Sequence, residues 1–187
     1  MVPKQPRPVS TSTALENCVA QLAQGRTVAI PTETVYGLAA LINLPQAIQL
    51  IFKLKERPSF DPLIVHIAKQ SQLDQVVSAW PPLAAALAKA FWPGPLTLVL
   101  PKHPSLNPAI TSGLDTVGVR MPDHALTLEL IRATGPIAAP SANKFGHTSP
   151  TRAEHVQQEF EQEIIAGEII VLDGGPCAVG VESTVVR

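Results

Sequence analysis

The sequence is poor in aromatics, cysteine and charge. Aromatic residues are 4% of the 187 positions, which leaves few platforms on which the bases of a single-stranded nucleic acid could stack. The two cysteines, Cys18 and Cys177, stand far apart with no Cys-x-x-Cys pair, so a zinc site or redox dithiol has no support and a reducing compartment is the simpler reading. No apolar run approaches the ~18 residues of a membrane helix. The opening MVPKQPRPVSTST has no apolar stretch of the kind a secretory signal needs. The expected location is therefore the cytoplasm, with no membrane partner. Charged residues are only 16%, with 14 Lys and Arg against 15 Asp and Glu for a net charge of −1. That balance excludes a globally basic nucleic-acid binder and a strongly acidic chain. The signature loops of the common nucleotide folds are missing too: there is no GxxxxGK[ST] and no GxGxxG. Nor is there an HExxH or a GxSxG elbow. A phosphate site in this chain has to be built from side chains.

What is present is a globular pattern. Hydrophobic residues make up 45% of the chain, enough for a core without disulfides or metal at this length. The 19 prolines predict many short elements joined by fixed turns. Residues 1–10 read as a flexible lead-in, and 11–187 as a single domain. Helical spacing marks residues 15–22, with Thr13 and Glu16 as a capping box and Gly25 as the stop. Further helices are predicted over 45–55, 83–91 and 126–133, and from Ser71 to Val77. Another begins at Ser149 or Thr151 and runs to Phe160, with Thr151 and Glu154 as a second box. Strands are predicted over 27–30, 63–67, 96–100, 117–120, 137–139, 169–172 and 181–186. Alternating helices and short strands without a repeat imply an α/β fold around a mixed sheet; the pattern does not fix the strand order.

Three segments place polar groups where a core pattern predicts apolar ones. Pro31-Thr32-Glu33-Thr34-Val35-Tyr36-Gly37 follows a strand. Its hydroxyls and carboxylate are placed either to line a cleft or to cap a turn. Lys55-Glu56-Arg57-Pro58 closes a predicted helix, where cations complement the helix dipole or clamp a phosphate. Asp61 and His66 follow, His66 inside an apolar run. In Pro140-Ser141-Ala142-Asn143, an extended backbone projects Ser141 and Asn143 to the same side. Ser183 and Thr184 interrupt the last strand.

Together and in this order, these segments resemble the Sua5/YrdC family of threonylcarbamoyl-AMP synthases. The stretches that carry the resemblance are PTETVYGL from Pro31, KERPSFDPLIVHI from Lys55 and FWPGPLTLVL from Phe91. TVGVRMPDH from Thr116, APSANKFGHTSPT from Ala139 and VESTVV from Val181 complete the set. The resemblance implies a twisted mixed sheet with flanking helices around a large, open concave cleft. It implies a reaction that joins L-threonine, bicarbonate and ATP into threonylcarbamoyl-adenylate and pyrophosphate, with Mg²⁺ carried on the phosphates. A partner enzyme then passes the threonylcarbamoyl group to the adenosine beside the anticodon of tRNA. By the same resemblance, Lys55, Arg57, Ser141 and Asn143 form the catalytic tetrad. Asp61, Thr116 and Ser149 join them on ATP, with Ser149 near a helix start. Thr34, His66, Arg120 and Ser183 hold the threonine, with Arg120 on its carboxylate. In the family an Arg-Pro-Gly segment follows the last strand and touches the nucleotide. This sequence stops at Arg187, so the domain is expected to end short there.

Two other readings compete. One is a non-catalytic module for double-stranded RNA or tRNA, with salt-dependent affinity and no need of ATP. The other is a carbamoyl-transfer module. The charge distribution bears on both. Up to Arg152 there are 13 Lys and Arg against 8 Asp and Glu, a net of +5. From Ala153 onward one Arg faces seven acids, a net of −6. With Lys55, Arg57 and Arg120 assigned to the cleft, the expectation is a locally basic pocket suited to a small polyanion.

Overall fold

The computed structural model describes residues 11–187; the expected lead-in lies outside the described residues. Helix α1 spans Thr11–Ala23. Thr13 therefore lies inside the first turn instead of before it, and Ser12 Oγ donates to Glu16 Oε1 at 3.3 Å. Strand β1 (Thr27–Ile30) returns through a turn into β2 (Gly37–Leu41), which the sequence pattern missed. All five β2 residues are buried; a fully covered strand of Gly, Ala and Leu shows neither alternation nor branched residues.

Helix α2 covers Pro45–Lys55 as predicted, with Pro45 in its first turn. It stops because Glu56 turns left-handed at φ 52°; the Glu56 N–H donates to the Lys53 carbonyl and the Arg57 N–H to that of Phe52. Strand β3 (Ile64–His66) follows. The helix expected from Ser71 is a 3₁₀ turn at Gln70–Gln75. The Gln72 side chain, not Ser71, holds its start by accepting from the Ala68 and Lys69 N–H groups. Helix α3 (Pro82–Phe91), β4 (Leu96–Pro101), β5 (Thr116–Arg120), α4 (Ala125–Thr134) and β6 (Ile137–Ala138) agree with the pattern to within a residue or two. The next predicted helix is α5 (Ala153–Glu159), and a further short helix that the pattern missed, α6 (Glu161–Ile165), follows the buried Phe160. The cap position of α5 is Arg152, so neither Ser149 nor Thr151 starts it and the Thr151–Glu154 box is not used. Strands β7 (Ile169–Val171) and β8 (Thr184–Val186) close the fold.

The eight strands form one mixed sheet in the order β7-β1-β2-β6-β3-β5-β4-β8. The β1/β7, β3/β5 and β4/β8 pairs are parallel; the others are antiparallel. One core cluster gathers Ile48 and Ile51 of α2 with Val65, Leu98 and Val119 of the central strands. A second packs Leu22 of α1 and Leu130 and Ile131 of α4 on Val28 and Ile30. A third joins Tyr36, Leu38, Leu54 and Phe160. Each such side chain contributes roughly 1.5–3 kcal/mol on burial. The frame that results sets His66 of β3 directly beside Arg120 of β5.

Candidate active site

Two polar clusters are built on this frame. The deeper one starts at the turn between β1 and β2. Thr32 Oγ1 accepts from the N–H groups of Thr34 and Val35, and donates to the Val35 carbonyl at 2.7 Å. This closed turn holds Glu33 and Thr34 in fixed positions. In the sheet, β6 and β3 lie between β2 and β5, yet both residues meet Arg120 of β5. The turn therefore folds across the sheet face. Arg120 Nη1 donates to Thr34 Oγ1 at 3.0 Å, and Nε donates to the Gly94 carbonyl at 3.2 Å. A Cβ at residue 94 would collide with the Phe91 carbonyl oxygen, which explains the glycine in the Trp-Pro-Gly-Pro turn. Arg120 Nη2 lies 2.7 Å from Glu33 Oε1. This is an ion pair by separation, but its angle is not that of an aligned hydrogen bond. Among the described residues, both Glu33 oxygens, Arg120 Nη2 and His66 Nδ1 are buried without a hydrogen-bond partner. Burial, assisted by the Arg120 charge, pushes the His66 imidazole down to about 3, so it is neutral at physiological pH. Ser183 joins from the far edge, its hydroxyl 2.8 Å from Thr97 Oγ1 on β4.

The second cluster sits where α2 ends. Lys55 is 1% exposed. Its Nζ donates to the carbonyls of Ser141, at 2.6 Å, and Asn143. Burial, then the charge of Arg57, lowers its ammonium to about 8, against the pull of Glu182, Asp61 and Glu159. Arg57 binds the Asp61 carboxylate at 2.9 Å and donates to the Asp61 and Pro62 carbonyls. The 141–143 loop is pinned to β2: Gly37 bridges Ser141, and Ala142 N–H donates to the Tyr36 carbonyl. Asn143 Nδ2 donates to the carbonyls of Lys144 and His147. Lys55 thus meets Ser141 and Asn143 across more than eighty residues of sequence, while Arg57 turns to Asp61 and Pro62. The Lys55 contact runs through backbone carbonyls, not through the side-chain donors expected of the serine and asparagine. Ser149 Oγ donates to Glu182 Oε1 at 2.6 Å, and α5 begins only at Ala153, so Ser149 is not at a helix start. A cavity of about 490 Å³, lined by Asn143, Ser149, Thr151, His155, Gln158 and Gly180, opens here. That volume lies in the range of small-ligand sites. Thr116 lies at the other end of its strand from Arg120, and the parallel register of β3 and β5 extends to bring it level with Pro62, beside Asp61. It opens β5, about 13 Å along the strand from Arg120, and lines an apolar groove with Leu87, Leu100 and Val186.

The segment between β7 and β8 touches both clusters. Tyr36 donates its hydroxyl to the Gly175 carbonyl, and Cys177 N–H donates to the Thr151 carbonyl. The N–H groups of Val179 and Gly180 donate to the carbonyls of Glu33 and Thr34. Glu182 and Ser183 then reach Ser149 and Thr97. The pocket is accordingly not simply basic. Arg120 faces Glu33, Arg57 faces Asp61, and Glu182 stands near Lys55 and Arg57. The count of cations by sequence overlooked these acids because their positions depend on loop closure. Glu33, Thr97 and Glu182 are the polar partners it left unassigned. Of these only Glu33 carried a signal, as a carboxylate inside the Pro-Thr-Glu-Thr turn. Among the described residues, no group of three or more His, Cys, Asp or Glu is gathered to hold a metal ion, and no helix is long and apolar enough to cross a membrane.

A model of the Sua5/YciO/YrdC domain, described as telomere recombination, matches residues 20–187. The chain belongs to the Sua5/YciO/YrdC family. It is 52% identical over 173 residues to the threonylcarbamoyl-AMP synthase of Bacillus subtilis, covering 91% of this chain and 49% of that protein. With the Pyrococcus abyssi synthase it shares 51% over 166 residues, 88% of this chain and 48% of the other. A crystal structure of P. abyssi Sua5 complexed with L-threonine superposes with a TM-score of 0.88 at 48% identity, over 96% of this chain and 52% of that one. The chain therefore spans about half the length of these Sua5 relatives. The eight-stranded mixed sheet with flanking helices is the fold of the Sua5/YciO/YrdC family, and the E. coli YciO crystal structure shares it at a TM-score of 0.79.

Proposed function

We propose that this domain synthesises L-threonylcarbamoyladenylate from L-threonine, bicarbonate and ATP, releasing pyrophosphate. The observation that carries this reading is the contact of Lys55, with the charge of Arg57 nearby, with the 141–143 loop, whose Asn143 also lines a cavity of small-ligand size. The similarity to threonylcarbamoyl-AMP synthases, one of them solved with L-threonine, supports it.

In this reading the deep cluster takes the amino acid. Arg120 pairs with the threonine carboxylate, while Thr34, neutral His66 and Ser183 supply hydrogen bonds to its other polar atoms. The second cluster takes ATP, which arrives with Mg²⁺ on its phosphate oxygens. The threonine amine captures carbon dioxide from bicarbonate to give a carbamate. A carbamate oxygen attacks the α-phosphorus, and the bond to the pyrophosphate oxygen breaks. Such transfers depend on positioning and charge neutralisation more than on covalent catalysis. Lys55 and Arg57 neutralise the phosphates, and Asn143, Ser141 and Ser149 orient the nucleotide. Asp61 and Glu182 occupy Arg57 and Ser149 without ligand, so the triphosphate binds by displacing these acids from their partners. The product then serves a partner enzyme acting on tRNA in the cytoplasm. The balanced charges of the two clusters leave little for a long RNA footprint to neutralise.

The test is incubation with ATP, L-threonine and labelled bicarbonate. Label should appear in an adenylate that migrates with threonylcarbamoyl-AMP. Label that stays in bicarbonate at saturating threonine would refute the assignment. Replacing Arg57 with Ala should lower the rate by about 10²–10³-fold.

A further inference from the structure

Glu33 has acceptor capacity that the protein leaves unused. Its side chain is more than nine-tenths buried beside Arg120. Both of its oxygens lack an aligned donor among the described residues. Donors do pass close by: the N–H groups of Val179 and Gly180 go to the carbonyls of Glu33 and Thr34, not to the carboxylate. Arg120 shows the complementary vacancy. Its Nε and Nη1 are engaged by Gly94 and Thr34, while Nη2 has the carboxylate nearby but no aligned bond. Buried polar groups are costly when unpaired. A guanidinium and a carboxylate side by side, each with open positions, match a ligand that carries an anion and an amine on one carbon. An α-amino acid has that arrangement.

We propose that Glu33 accepts hydrogen bonds from the substrate α-amine, and takes up the proton that the amine releases as the carbamate forms. The inference rests on the reading above, in which Arg120 holds the carboxylate of threonine. The lone pair of the neutral amine forms a bond to the carbon of carbon dioxide, and one C=O electron pair moves onto oxygen. The nitrogen then carries one proton too many. That proton passes to a Glu33 oxygen, which leaves the N-carboxylate of threonine, and Glu33 later returns it to water. A hydroxyl acid without the amine would bury the Glu33 carboxylate with nothing to pair it.

Calorimetric titration tests this with two ligands: L-threonine, and β-hydroxybutyrate, which keeps the carboxylate and hydroxyl but lacks the amine. The wild-type domain should bind threonine about 10–100-fold more tightly. Glu33→Gln should narrow that preference to about threefold or less, and Glu33→Asp should retain most of it. Wild-type protein that binds both ligands alike overturns the proposal whether or not Glu33→Gln folds, as does a Glu33→Gln variant that keeps the full preference. If threonine does not bind at all, the functional reading has failed, and the role of Glu33 with it.

Discussion

The two clusters are built from the same kinds of residue on opposite principles. The deep one hangs from strands. Arg120 and His66 are fixed by ladder register, and Glu33 and Thr34 by a turn closed through Thr32. Its ion pair is nearly sealed from water. The outer one hangs from a helix end and two loops. Its cations contact backbone carbonyls and partly exposed acids, with Asp61 36% and Glu182 largely exposed. A rigid, dry site suits a small ligand of fixed geometry. A site with exchangeable acidic partners suits a flexible polyanion that brings its own charge. The difference teaches that equal charges need not contribute equally: position in the frame decides whether a charge is structural, functional or both.

The sharpest way to break the comparison is to remove one deep charge. Arg120→Leu leaves the Glu33 carboxylate buried and unpaired, which should cost about 3–5 kcal/mol of stability. Urea unfolding at neutral pH measures it, and a loss below about 1 kcal/mol would show that water reaches Glu33 freely.

A proton measurement sharpens the contrast next. Burial lowers the Lys55 ammonium to about 8, so near pH 8.5 much of the free domain holds it neutral. A triphosphate favours the charged form and raises that value. ATP binding near pH 8.5 should therefore take up a fraction of a proton, and binding near pH 6.5 should not. Titration in buffers of different ionisation enthalpy reads this directly. For folding the sign runs the other way from a stabilising pair. The folded value lies below that of the unfolded chain, so the Lys55 contribution is unfavourable at neutral pH and eases as pH rises from about 8 towards 10.5.

The smallest effect belongs to an acid at the rim. Glu182→Gln removes a charge near Lys55 and Arg57 that competes with phosphate. ATP should bind about two- to fivefold more tightly, and less so at high salt. Equilibrium titration at two salt concentrations checks both.

How legible all this was in the sequence differs between the same regions. Helix α2 and strands β1 and β3 to β5 were readable, because periodicity and proline placement mark them; Arg120 and His66 were assigned to the site through the family resemblance, and their neighbouring register followed only from the sheet. Strand β2 was not, since five buried small and aliphatic residues carry no period. The capping box at Thr151 and the cap at Ser71 failed because local hydroxyl signals were displaced, while Thr13 lies within α1. Gln72 took one cap, and Arg152 stands at another. The motif residues of the outer cluster came from the family resemblance, but their partners could not be read from it. Glu182 meets Ser149, and Lys55 meets carbonyls rather than side chains, only after the loops close. Thr116 shares a strand with Arg120 but stands at its opposite end, on the side of Asp61 and Pro62 by register.

The central claim is that the two regions hold different ligands. Titrating ATP and, separately, L-threonine into wild-type and Arg57→Ala protein tests it most directly. The substitution should weaken ATP by about tenfold or more and leave threonine affinity unchanged. Equal loss of both ligands, or unaltered ATP affinity, would contradict the account.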